Sequence, residues 1–212
     1  MRREVLVFQI AAVIVLSSGL GYMFAFTDVY EHIKNDIVIV TCLSCIKLQP
    51  ITTVEFTFKT YQGRLHPDFV LENLSKRPVF IAYRATVCEF CDVMDPVLED
   101  VLNVEHINRE GLLIFDLEYN GTDMLFIHIN ISEAPELYSN SQLVYMKDIF
   151  ETSVPMFTMI TLGYNRGIIE PYYATAYGIL GQETFEGQKQ VLTSIIEDGI
   201  KLYNENKAGY HK

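Results

Sequence analysis

The sequence predicts an α/β sandwich, a central mixed sheet flanked by helices, preceded by one N-terminal transmembrane helix. Three observations predict it. Strand-like and helix-like hydrophobic periods alternate from residue 53 onward. A C-x-x-C pair, Cys88 and Cys91, falls where one such strand gives way to a helix. Residues 5–26 form a run of 22 side chains without a charge, slightly more than the roughly 20 that cross a hydrocarbon core as a helix.

The apolar run comes first in the chain. It is longer than the ~7 to 15 apolar residues of a cleaved signal peptide, and no small-x-small cleavage site follows Gly21. An uncleaved anchor at 5–26 is therefore expected. Arg2 and Arg3 precede it, whereas Asp28, Glu31 and Asp36 follow with a single Lys34. The positive-inside rule then puts residues 1–4 in the cytoplasm and the rest outside it, where disulfides persist. Three N-x-S/T triplets, at Asn73, Asn120 and Asn130, suit that location. The formal charge of −11 falls entirely after residue 50, where 12 Lys and Arg meet 23 Asp and Glu. Such acidity excludes nucleic acid as a partner class, because phosphate backbones would repel the domain.

Residues 27–52 read as a linker, with the β-branched run Ile37 to Thr41 too short for a second span. The domain occupies 53–212. Val54, Phe56 and Phe58 alternate with Glu55, Thr57 and Lys59, the period of a half-buried strand. A helix fits His66 to Ser75, and the apolar run Val79 to Tyr83 fits a buried central strand. A second helix is expected from Cys88 onward, with Met94, Val97, Leu98, Val101 and Leu102 as its apolar stripe and a kink at Pro96. Strands are expected at Leu112 to Leu117 and Met124 to Ile129, with Asn120-Gly121 as a hairpin signal between them. Residues 132–152 read as a helix, Met156 to Thr161 as a strand, and Leu162 to Gly181 as strand and loop. The last helix is expected from Gln182 to Asn204, burying Phe185, Val191, Leu192, Ile195, Ile196 and Ile200.

At a helix N-terminus, residues i and i+3 are neighbours, within reach of the ~5.5 Å Cα separation that a disulfide prefers. The unsatisfied N–H groups and positive end of the helix also favour a thiolate, the form that attacks disulfides. Cys88 is thus the expected nucleophile and Cys91 the residue that resolves the mixed disulfide. Glu89, between them, places a negative charge that raises the thiol pKa and opposes the helix dipole.

The run Val79-Phe80-Ile81-Ala82-Tyr83, the segment Cys88-Glu89-Phe90-Cys91 and Pro96 five residues after the second cysteine together resemble the thioredoxin superfamily. Ser153-Val154-Pro155-Met156-Phe157 is similar to that family's cis-proline segment, and Gly178 stands where a family glycine recurs. The resemblance covers about residues 53 to 204. It implies a membrane-anchored thiol-disulfide oxidoreductase that reduces, oxidises or isomerises protein disulfides, with Val154 and Pro155 contacting substrate. It also implies protein thiols and disulfides as substrates, a redox donor or acceptor as partner, and no cofactor beyond the redox-active disulfide. The sequence departs from the pattern at Val87, where the family has tryptophan, and at Ala82, where many members bury an acid. Between Cys91 and Pro155 lie 63 residues, a longer interval than the family's, so an insertion is expected near 103–130. The alternative is a redox-inert thioredoxin-like module that binds a partner at the membrane surface.

A second pair, Cys42 and Cys45, repeats the C-x-x-C spacing in the linker. It reads as a redox relay or as a static disulfide. Two such pairs also allow a four-thiolate zinc site, but 42 residues separate them and the first pair lies outside the domain. The histidines show no metal-ligand spacing, and His128 reads as a core or face residue of a strand. No phosphate-binding glycine loop or nucleophilic serine motif is present.

Overall fold

Val79–Arg84 (β1) has every residue buried, as a run of apolar side chains needs when both faces of a strand are covered. The computed structural model describes residues 55–107, 111–147, 154–181 and 184–210. The chain divides into two units, residues 1–49 and 50–212, and all described residues belong to the second. Before β1 lies Asp68–Leu74 (α1), and after it Glu89–Leu102 (α2). Leu112–Tyr119 (β2) and Thr122–Asn130 (β3) follow, then the short helices Glu136–Ser139 (α3) and Gln142–Tyr145 (α4). Met156–Asn165 (β4), Ile168–Tyr177 (β5) and Phe185–Asn206 (α5) complete the order.

The five strands form one mixed sheet in the order β2-β3-β1-β4-β5. β1 pairs parallel with β3 and antiparallel with β4, placing Ala82 opposite His128 and Arg84 opposite Asn130. Alternation along each strand then sorts the core into two layers. Phe80, Ala82, Met124, Phe126, Phe157 and Met159 face α2 and α5. Val79, Ile81, Tyr83, Leu125, Ile127 and Ile160 pack with Val70 and Leu74 of α1 and with Val144 and Tyr145 of α4. Helices thus cover both sheet faces, the α/β arrangement expected.

Several elements differ from expectation. The segment at residues 55–59 makes a single bridge, Thr57 to Tyr173, in place of a strand. Phe56 and Phe58 pack on Tyr172 instead, and a turn of 3-10 helix follows at Tyr61–Gly63. The helix expected across 132–152 is two short helices. The i−4 bonding pattern gives way to i−3 bonds at Ser141, Leu143 and Val144, where the buried Ser141 hydroxyl is held by Tyr83 at 2.9 Å and by the Tyr138 carbonyl. Residues 148–152 of that stretch lie outside the described residues. β2 and β3 are joined by a two-residue turn, as the Asn-Gly signal predicts, with Asn120 and Gly121 at φ 48° and 78°, the left-handed region that Asn-Gly favours. β4 runs on to Asn165 and returns through a second tight turn at Arg166 and Gly167. Pro171 sits in β5, an edge strand, where a missing N–H is tolerated. Thr184 caps α5 by accepting the Gly187 N–H at 3.2 Å, and Phe185, expected in the core, is 43% exposed.

Among the described residues no helix is long and apolar enough to cross a membrane. The anchor expected at 5–26 and the Cys42–Cys45 pair lie outside the described residues.

Candidate active site

β1 ends at Arg84, and four residues later Cys88 caps α2. Its backbone is extended (φ −153°, ψ 94°), the conformation an N-cap residue adopts. The Cys91 N–H donates to Cys88 Sγ at 3.1 Å and to the Cys88 carbonyl at 3.0 Å. The Asp92 N–H donates to the same carbonyl at 3.2 Å. Cysteine here does what serine or aspartate does at an ordinary N-cap, so a first-turn N–H, shared with the Cys88 carbonyl, points at sulfur. Cys88 and Cys91 are joined by a disulfide with Cα atoms 5.2 Å apart. Cys88 is half-buried and Cys91 fully buried, so reagents from solvent meet Cys88 first.

The loop before Cys88 is fastened to the segment after β3. The Ile131 N–H donates to the Arg84 carbonyl at 2.8 Å. The Thr86 hydroxyl donates to Glu133 at 2.8 Å, and Asn130 donates to that hydroxyl at 3.1 Å. Glu89 is exposed in the first turn of α2. Pro155 is buried, with Val154 half-buried and a cis bond between them. Met156, the next residue, pairs with Tyr83 at the end of β1 and with Tyr177 at the end of β5. Gly178 donates its N–H to the Pro155 carbonyl at 2.8 Å. Pro155 and the cysteine pair therefore lie at the same end of the sheet.

Beneath that end sits a charged cluster that sequence reasoning missed. Arg84, Asp95 and His128 are all buried. Arg84 donates to the Asp95 carboxylate with one terminal nitrogen and to Asp92 with the other, at 3.2 Å. His128 Nε2 lies 3.9 Å from the second Asp95 oxygen, and neither ring nitrogen has a hydrogen-bond partner among the described residues. Burial pushes the Asp95 carboxyl up to about 6, against the pull of the Arg84 guanidinium. Burial, with Arg84 nearby, holds the His128 imidazole down to about 4, so the ring is neutral at pH 7. Alternation foreshadows the cluster: Phe80, Ala82 and Arg84 share one face of β1, and Phe126, His128 and Asn130 share the same face of β3. Asp95 is four residues after Cys91 and three before Leu98, on the buried stripe of α2. Asp95 thus puts a buried carboxyl on α2, one turn beyond Cys91.

The arrangement can hold a thiolate at Cys88, close a disulfide from Cys91, and keep a protonatable carboxyl within one helical turn of the buried sulfur. Among the described residues no group of three or more His, Cys, Asp or Glu is placed to hold a metal ion. No protein-family model, no curated protein and no solved structure matches the chain.

Proposed function

We propose that the chain is a thioredoxin-like thiol-disulfide oxidoreductase, anchored by residues 5–26 with its domain outside the cytoplasm, that exchanges protein disulfides through Cys88 and Cys91. The observation that carries this reading is the disulfide at the start of α2, whose half-buried member receives a helix N–H on sulfur while the other member is sealed in the core. The donor caps the helix in the disulfide form, and on reduction it favours the thiolate, because a hydrogen bond to the charged form lowers its pKa. Three further features support the thioredoxin-like assignment: β1 parallel to β3, the cysteines shortly after β1, and a proline just before the neighbouring strand β4. In this reading Val154 and Pro155 form one wall of the groove that receives the substrate chain. The location outside the cytoplasm rests on Arg2 and Arg3 before the apolar run and on the acidic residues after it.

Cys91→Ser tests the reading. Without a resolving thiol the exchange stops at the intermediate, so the variant should accumulate mixed disulfides through Cys88 that Cys88→Ser abolishes. A Cys91→Ser protein that traps no partner, with Cys88 inert to alkylation, would leave a redox-inert binding module as the account.

A further inference from the structure

Large apolar side chains left in water cluster around the cysteine pair. Val87 is 92% exposed, Phe90 54% and Val93 44%, and these are the residues one before, two after and five after Cys88. Single exposed apolar residues need no explanation, whereas a contiguous set is the usual mark of a contact surface. The charged residues on the same stretch of chain, 85–95, are all acidic. Glu89 follows Cys88 directly, Asp92 stands on the next turn, and the Thr86 hydrogen bond holds Glu133 against the loop that leads into Cys88. The base in this neighbourhood, Arg84, is buried and neutralised by Asp95 and Asp92. The exposed Lys147 follows α4, and its backbone N–H donates to the Tyr177 hydroxyl at 2.8 Å.

Resting on the exchange reading above, we propose that the substrate class of this site is a polypeptide whose target cysteine is flanked by an apolar side chain and by a lysine or arginine. The apolar residue covers Val87, Phe90 and Val93, and the cation answers Glu89 and Glu133. Starting from the dithiol, the Cys88 thiolate attacks one sulfur of the substrate disulfide. The substrate S–S bond breaks, a Cys88–substrate bond forms, and the departing substrate thiolate takes a proton from water. Cys91 then loses its proton to solvent and attacks Cys88 Sγ, re-forming the Cys88–Cys91 bond and releasing the second substrate thiolate. Two electrons pass from the protein dithiol to the substrate.

The test uses the full chain in detergent, reduced, freed of reductant and mixed with short disulfide-linked cysteine peptides: Phe-Cys-Lys, Phe-Cys-Glu, Ser-Cys-Lys and Ser-Cys-Ser. Each rate is divided by the rate of the same peptide with dithiothreitol, which removes intrinsic reactivity, and uncharged bis(2-hydroxyethyl) disulfide reports exchange itself. At low salt Phe-Cys-Lys should lead Phe-Cys-Glu by about fivefold, and the gap should close at high salt as exposed charges are screened. Phe90→Ser should erase the advantage of Phe-Cys-Lys over Ser-Cys-Lys. Equal normalised rates across the peptides, or a lead for Phe-Cys-Glu, alongside turnover of the uncharged disulfide, would overturn the substrate class and leave the exchange reading standing. Failure with the uncharged disulfide as well would overturn both.

Discussion

Asp95 and His128 occupy one buried site and respond to pH in opposite directions. The folded state raises the Asp95 pKa from 3.8 to about 6, so its contribution to stability is fully present below pH 3.8 and is lost as pH rises through 6. It lowers the His128 pKa from 6.5 to about 4, so that contribution is present above pH 6.5 and is lost as pH falls through 4. At about 1.4 kcal/mol per pKa unit, each swing is on the order of 3 kcal/mol. The two nearly cancel between pH 4 and 6 in the wild type. Asp95→Asn should unmask the histidine, losing stability relative to wild type as pH falls from 6.5 to 4. His128→Phe should unmask the aspartate and gain stability over the same range. Urea unfolding midpoints at half-unit pH intervals read both, and three parallel profiles would contradict the coupled site. The separate residues were plain in the sequence, but their meeting was not. An aspartate on an apolar helix stripe and a histidine on an apolar strand each read as ordinary until the β1–β3 register put Ala82 opposite His128 and Arg84 opposite Asn130.

At the scale of elements, the close seat of α5 on β4 depends on a missing side chain. Gly199 lies against Met159, whose Cγ would sit 2.3 Å from an added Cβ. The Thr161 hydroxyl donates to the Gly199 carbonyl at 2.6 Å, pinning the helix at the same point. Gly199→Ala should therefore destabilise the protein by about 1–3 kcal/mol through overpacking, although alanine is the better helix former. Thermal unfolding of the variant checks this, and an unchanged or raised midpoint would show that the helix can shift. The elements legible in the sequence were those with one dominant local signal: the apolar run of β1, the Asn-Gly turn joining β2 to β3, and the period of α2 and α5. The others were decided by distant contacts. Phe56 and Phe58 found Tyr172 before they found a strand partner, and the helical pattern of 132–152 broke where Tyr83 claimed the Ser141 hydroxyl. Pro171 hid β5, since a proline inside a strand is tolerated only at an edge, and edges are a property of the finished sheet.

For the whole molecule, the account places a helix-capping thiol at one end of a mixed sheet, with its partner sulfur buried above a charged cluster, on an acidic domain of net charge −11. The candidate site was half legible: the spacing of Cys88 and Cys91 marked the chemistry, and the Val-Pro dipeptide marked the neighbouring strand, while Arg84, Asp95 and His128 required the fold. The central claim is that Cys88 and Cys91 interconvert as a two-electron couple within the folded protein, with Cys88 as the reactive member. Equilibrating the full chain in dithiothreitol redox buffers, trapping thiols with an alkylating agent and counting adducts per cysteine by mass tests it directly. The account predicts a single two-electron transition without loss of folded-state circular dichroism, and brief alkylation of the reduced form at Cys88 well before Cys91. A pair that is reduced only when the protein unfolds, or a reduced form in which Cys88 resists alkylation, would contradict it.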